Sequence, residues 1–236
     1  MSRAEEIAGN LVAVRRRMAA ACLAAERSPD EVSLTVVTKF FPASDVRLLA
    51  DLGVRDVGEN RHQEAAAKAA ECVDLGLRWH FIGALQSNKA AAVASYADVI
   101  ESVDRTKLVA GLQRGAHDRG HDVDVLLQVS LDAPGADQRA GVDPAGLSAL
   151  AADVEAAGSL RLCGLMAVAP LPSPGGLTPD AAFGRLAAIR SEFLVTHPDA
   201  TELSAGMSND FEAAIRHGAT RVRVGSAVLG PRVVVQ

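Results

Sequence analysis

Aromatic residues are nearly absent from this chain: they make up 3% of its 236 residues, with one tryptophan and one tyrosine. Apolar residues still reach 49%. The core therefore has to be built from Ala, Val and Leu, which suits parallel strands covered by alanine-rich helices. Cysteine is scarce as well. Cys22, Cys72 and Cys163 stand far apart with no CxxC pair and no histidine beside them. That excludes a disulfide frame and a zinc site, and it reads as reduced thiols in a cytosolic protein. The histidines share no metal-ligand spacing either. No apolar run is long enough to span a membrane. Arg15, Arg16 and Arg17 interrupt the first helix where a signal peptide would need an apolar stretch, and they read as a solvated face. Basic excess is missing too. A net charge of −5 argues against a nucleic-acid binder, although a local basic pocket for a phosphate stays compatible with it. The expectation is a cytoplasmic protein with no nucleic-acid or membrane partner.

What is present is alternation. Residues 3–26 carry helical spacing, with Ile7, Leu11, Val14, Met18 and Cys22 as the apolar stripe. Eight strand-like runs follow: "VSLTVVT", "VRDVGEN", "RWHFIG", "ADVIESV", "VDVLLQVSL", "LRLCGLMAV", "ATELSAG" and "ATRVRVGSAVLG". Each is followed by a helical stretch or a short helical turn. Strands alternating with helices imply a parallel sheet. Eight such units in this length predict one α/β domain over 1–236, a single (β/α)8 TIM barrel with an extra N-terminal helix. An open doubly wound sheet is the alternative, but no G-x-G-x-x-G follows the first strand.

Active sites of such barrels lie at the C-terminal strand ends, and a phosphate site often forms after strands seven and eight. The loops there are "SAGMS" and "GSA", which combine glycines, hydroxyls and a helix start. Arg223 alternates onto the same face as Arg221 and Gly225. An arginine pointing into a barrel mouth needs an anion or an acceptor. Lys39 shares a face with Val37 at the end of the first strand. Two readings stay open for it. Desolvation favours a neutral amine, which forms Schiff bases with carbonyls, or the side chain snorkels to the rim. A Schiff-base lysine opposite a phosphate site admits a sugar phosphate, as in an aldolase, or pyridoxal 5′-phosphate. With the latter, Arg223 suits the pyridine nitrogen, and an arginine there does not give up its proton.

The motifs "VVTKFFP", "VGENRHQE", "WHFIGALQSNK", "ESVDR", "GLMAVAP", "LSAGMSNDFEAAIRHGAT" and "RVRVGSAVLGPR" occur in this order over nearly the whole chain. In them the sequence resembles the YggS/PROSC family of pyridoxal-phosphate-binding proteins, whose fold is related to the barrel domain of alanine racemases. The resemblance implies an alanine racemase-like barrel acting in vitamin B6 homeostasis, a cytosolic protein that holds pyridoxal phosphate and buffers it or delivers it to apo-enzymes; with no dimer-forming second domain read in the sequence, a monomer is expected. It implies that Lys39 carries the cofactor. Ser204, Ser208, Gly225 and Ser226 are then the phosphate cradle, Arg223 the partner of the pyridine nitrogen, and Asn60, His80 and Met166 wall residues. The chain departs from the usual pattern at Ala84 (histidine), Ala205 (methionine), Ser226 (threonine), Leu229 (phenylalanine) and Arg139 (lysine). Ser226 keeps the hydroxyl, whereas Arg139 weakens any role for a second lysine there.

An amino-acid racemase on the same barrel is the competing reading. It needs an acid/base group on each face of the cofactor. The tyrosine that supplies one in alanine racemases comes from a second domain, and Tyr96 is placed before the fourth strand, away from the strand ends. The expectation is a carrier and not an enzyme. An aldolase, with His80 and Glu59 as acid and base, is a third reading that the motif set does not favour.

Overall fold

The computed structural model describes residues 1–132, 140–170 and 177–231. Within them, eight parallel strands close into a barrel in chain order. They are β1 (Ser33–Val37), β2 (Asp56–Glu59), β3 (Arg78–Phe81), β4 (Val99–Val103), β5 (Val123–Gln128), β6 (Leu160–Met166), β7 (Glu202–Ser204) and β8 (Arg221–Val224). The helices are α1 (Arg3–Ala24), α2 (Ala43–Asp51), α3 (His62–Glu71), α4 (Ala90–Ala94), α5 (Val109–Arg119), α6 (Leu147–Glu155), α7 (Pro179–Thr196), α8 (Phe211–Arg216) and α9 (Ser226–Leu229). Short strands buried on both faces pair in parallel only when a crossover covers them, and the alanine-rich segments supply that cover. The predicted barrel is therefore the one that forms. β1 pairs with β2 on one side and with β8 on the other.

The additional helix α1 starts with a capping box between Ser2 and Glu5 and buries the predicted stripe from Ile7 to Cys22. It packs on α8 and α9. Arg15 and Arg16 are exposed, as the sequence suggests. Arg17 is exposed too, but it is not idle. Its guanidinium lies 4.5 Å from the Phe211 ring centroid and donates to Glu212 at 2.8 Å and to the Ser208 carbonyl at 3.1 Å. The start helix thus secures the loop after β7.

Apolar packing between helices and strands forms two groups. One joins Leu108, Leu112, Leu150, Phe183 and Leu186 to Val125 and Leu165. The other joins Ile7, Leu11, Val46, Leu49 and Phe211 to Val36 and Val224. Each fully buried leucine or phenylalanine contributes about 1.5–3 kcal/mol. Ala205 and Leu229, two of the departures from the family pattern, sit in these cores, and Ala84 is exposed. Arg139 lies outside the described residues.

The last predicted strand is shorter than its sequence suggests. Pairing with β1 ends at Val36↔Val224, so the chain beyond has no ladder to join and turns into α9. Gly225 makes that turn against β1, where an added Cβ would stand 3.1 Å from the Val37 carbonyl oxygen. No helix among the described residues is long and apolar enough to cross a membrane.

Candidate functional site

The C-terminal strand ends open into a pocket of ≈ 420 Å³, within the range of about 300–1,000 Å³ usual for small-ligand sites. Val37 and Lys39 line it from the end of β1, Met207 to Asp210 from the loop after β7, and Arg223, Gly225 and Ser226 from β8 and the turn beyond it. Lys39 stands in a turn just past β1 and is half-buried. The Thr38 amide still donates to the Gly58 carbonyl at 2.9 Å, so the lysine leaves from the last held point of the barrel rim.

The two loops after β7 and β8 meet at their hydroxyls. Ser226 Oγ donates to Ser208 Oγ at 3.4 Å. Gly206 shapes the first loop. Its φ of +91 lies in the left-handed region, and an added Cβ would fall 2.7 Å from Phe211 Cα and from Ala214 Cβ. Its carbonyl accepts from the Arg223 amide at 2.9 Å. A Gly206→Ala change is therefore expected to cost about 1–3 kcal/mol, from strained backbone and the clash together. Urea unfolding of the two proteins checks this.

Arg223 is 3% exposed. Its guanidinium donates to Ser204 Oγ at 2.6 Å and to the Ala167 carbonyl at 2.9 Å. The solvated reading of a strand-end arginine does not apply to it. Ser204 Oγ in turn donates to Glu101 Oε2 at 2.6 Å. Glu101 Oε1 meets His80 Nδ1 at 2.8 Å, and His80 Nε2 meets Asp56 Oδ1 at 2.8 Å. Arg221 NH1 then donates to Asp56 at 3.0 Å and to Thr35 Oγ1 at 3.1 Å. A polar column runs along the barrel axis and ends beneath the pocket. Both His80 nitrogens face carboxylates, which only accept, so both carry protons and the ring is cationic. Burial opposes that charge, yet the bonds to Asp56 and Glu101 raise the His80 pKa. Burial likewise opposes the Glu101 carboxylate, but His80, Arg223 and Ser204 hold it down at about 2.

Of the residues singled out in sequence, the pocket brings together Lys39, Ser208, Arg223, Gly225 and Ser226. Four others lie elsewhere. Ser204 is fully buried and its hydroxyl is used by Arg223 and Glu101, so it supports the guanidinium from below instead of joining the cradle. His80 is 1% exposed inside the axis with both nitrogens occupied, and it forms no wall. Met166 is buried in the ladder opposite Ser204 and Gln128. Asn60 backs onto Gly83, where an added Cβ would lie 2.1 Å from its carbonyl oxygen. Sequence reasoning missed Glu101. Its signal was present as a carboxylate in the middle of "VIESV", between apolar residues, a ready acceptor for the arginine that needed one.

Comparison with known proteins bears on the family and the fold. The family described as "Alanine racemase, N-terminal domain" matches residues 10–233. A Mycobacterium tuberculosis protein named "Pyridoxal phosphate homeostasis protein" is 44% identical over 249 aligned positions, covering 98% of this chain and 94% of that one. The structure of PipY from Synechococcus elongatus, solved with PLP bound, is 38% identical with a TM-score of 0.80, covering 95% of this chain and 100% of that one. An alanine racemase from Clostridium difficile shares the fold at a TM-score of 0.68 and 13% identity, covering 95% of this chain and 56% of that one. The chain belongs to the family of pyridoxal phosphate homeostasis proteins, within the wider family defined by the N-terminal domain of alanine racemase.

Proposed function

We propose that this chain binds pyridoxal 5′-phosphate (PLP), holds it as a Schiff base on Lys39, and serves vitamin B6 homeostasis by buffering or delivering it. One observation carries the reading: Lys39, the Ser208–Ser226 hydroxyl pair and the buried Arg223 converge in a single pocket. Relatives named for PLP homeostasis, and one solved with PLP bound, support it. When bound, PLP supplies an aldehyde that a lysine amine converts to a Schiff base with loss of water. Ser208, Ser226 and the close-approach Gly225 suit the phosphate. Arg223 presents a guanidinium that keeps its protons, so it donates to a pyridine nitrogen and leaves that nitrogen unprotonated.

A carrier is favoured over a racemase. Racemisation needs a proton donor or acceptor on each face of the cofactor. Among the described lining residues the titratable side chains are Lys39, Asp210 and Arg223, and the Asp210 carboxylate accepts from the Met207 amide at 2.6 Å. Tyr96 is not among them, and burial pushes its hydroxyl pKa upward. The three cysteines are free, which fits a cytoplasmic protein. We infer that it acts as a monomer and that apo-enzymes receive the cofactor from it.

The test is an absorption spectrum of the purified protein before and after borohydride, followed by peptide mass mapping. A coloured protein whose reduced adduct maps to Lys39 is the expected result. A colourless protein that takes up no added PLP would overturn the reading.

A further inference from the structure

We propose that Lys68 is a positioning residue for Lys39. Together with Glu64 it grips the backbone on both sides of Lys39 and so aims the amine into the pocket. The inference rests on the reading of Lys39 as the residue that carries the aldehyde.

Lys68 stands on α3 and is 7% exposed. An ammonium has three N–H donors, and all are used. They go to the Thr38 carbonyl at 2.8 Å, Glu59 Oε1 at 2.7 Å and Glu64 Oε1 at 2.7 Å. Thr38 is the residue before Lys39. The residue after it, Phe40, donates its amide to the same Glu64 Oε1 at 2.6 Å. Thr38 is tied a second time, through Oγ1 to Glu59 Oε1 at 2.7 Å. Three hydrogen bonds from one cluster thus join the two neighbours of a single residue. Lys68 does not line the pocket itself, so any influence on the ligand passes through that turn.

The turn is one that needs holding. Phe40 has φ +71, a left-handed conformation unusual for a bulky residue. Such backbone persists only where its surroundings over-determine it. The cluster is also not what stability alone would select. Glu59 is 1% exposed, its Oε2 has no hydrogen-bond partner among the described residues, and burial pushes its carboxyl pKa upward. Replacing buried ion pairs with apolar residues is often neutral or stabilising, so a buried charged cluster with an unsatisfied oxygen points to a geometric task.

The experiment compares dissociation constants for PLP and for pyridoxine 5′-phosphate, whose alcohol in place of the aldehyde forms no bond to an amine. Lys39→Ala serves as the reference for a site without that bond. In Lys68→Met the preference for PLP is expected to fall about tenfold or more, because misplacing a reacting group weakens bond formation steeply. Binding of pyridoxine 5′-phosphate should stay within about twofold, since it does not use the aimed amine. Glu64→Ala should shift the preference the same way. Its side chain is partly exposed, and it keeps the Lys68–Glu59 pair, so it gives an answer even if Lys68→Met does not fold. The double variant Lys68→Met with Glu59→Gln also removes the stranded charge. Equal weakening of both ligands would mark Lys68 as merely structural and overturn the proposal, as would unchanged binding of both. If Lys39→Ala keeps the parent's preference for PLP, the reading of Lys39 fails first, and the positioning role falls with it.

Discussion

A Lys39→Ala chain is expected to give no borohydride-reduced adduct and no coloured complex with PLP, while binding pyridoxine 5′-phosphate as the parent does. Of the lysines, only Lys39 lines the pocket; Lys68, Lys89 and Lys107 do not. Removing its amine leaves the Ser208 and Ser226 hydroxyls and the Arg223 guanidinium in place, so the non-covalent part of binding survives. The covalent part is lost whole. The preference for PLP over pyridoxine 5′-phosphate should drop at least about tenfold, or about 1.4 kcal/mol. Stability should change by less than about 1 kcal/mol, because the side chain is half-buried at the rim and fills no core. Spectral titration and intact mass after reduction measure both halves. An adduct that persists in the variant would move the role to another lysine.

Replacing Glu101 by alanine is expected to destabilise the barrel by about 3–5 kcal/mol, because the His80 imidazolium and the Arg223–Ser204 pair then face each other with no anion between them. For a chain of this size that amounts to a fall in melting temperature on the order of 10 °C. The same carboxylate sets an acid limit. Its pKa drops from 4.5 to about 2 on folding. A depressed folded value means the stabilisation is complete above the unfolded pKa and is lost as pH falls from there through about 2. His80 has the opposite sign. Its folded pKa is raised above 6.5, so its contribution is complete below that value and is lost as pH rises through the folded one. Melting temperatures of the parent and of Glu101→Gln should therefore converge as the pH is taken down from 4.5 toward 2. A gap that stays constant over that range would mean that Glu101 is not ionised in the fold.

Much of this was legible in the sequence, for reasons that particular residues make plain. Eight apolar runs separated by alanine-rich helices leave little choice but a closed parallel sheet. That Lys39, Ser208 and Ser226 meet in one pocket was readable because the strand ends of such a barrel share one face. The axis was not readable. Period-two alternation says that Glu101, Ser204, Arg223 and His80 point inward, but not which of them stand at one height, and that depends on stagger between strands far apart in the chain. Ser204 and Ser208 illustrate the problem: two serines of one motif, one ending β7 under the guanidinium and the other beyond it in the pocket. Low aromatic content correctly pointed to an Ala, Val and Leu core around the barrel. It carried no information on the barrel's own interior, where charges replace the branched residues that usually fill such a core. Lys68 was hidden for another reason. Within "EAAAKAAE" nothing separates a buried lysine from a solvated one.

The closing seam of the barrel has a temporal consequence. Lys39 leaves from β1 and Ser226 follows β8, and these two strands zip together only at Ser33↔Arg221 through Val36↔Val224. The pocket-lining groups proposed to hold the ligand are therefore contributed by the earliest and latest strands to be synthesised. No partly made barrel holds both halves of the pocket. A ligand that bridges them binds the finished fold alone and, by mass action, draws the equilibrium toward it, by about 2.7 kcal/mol when present at a hundred times its dissociation constant. The small molecule acts as a clasp on a ring whose ends meet last.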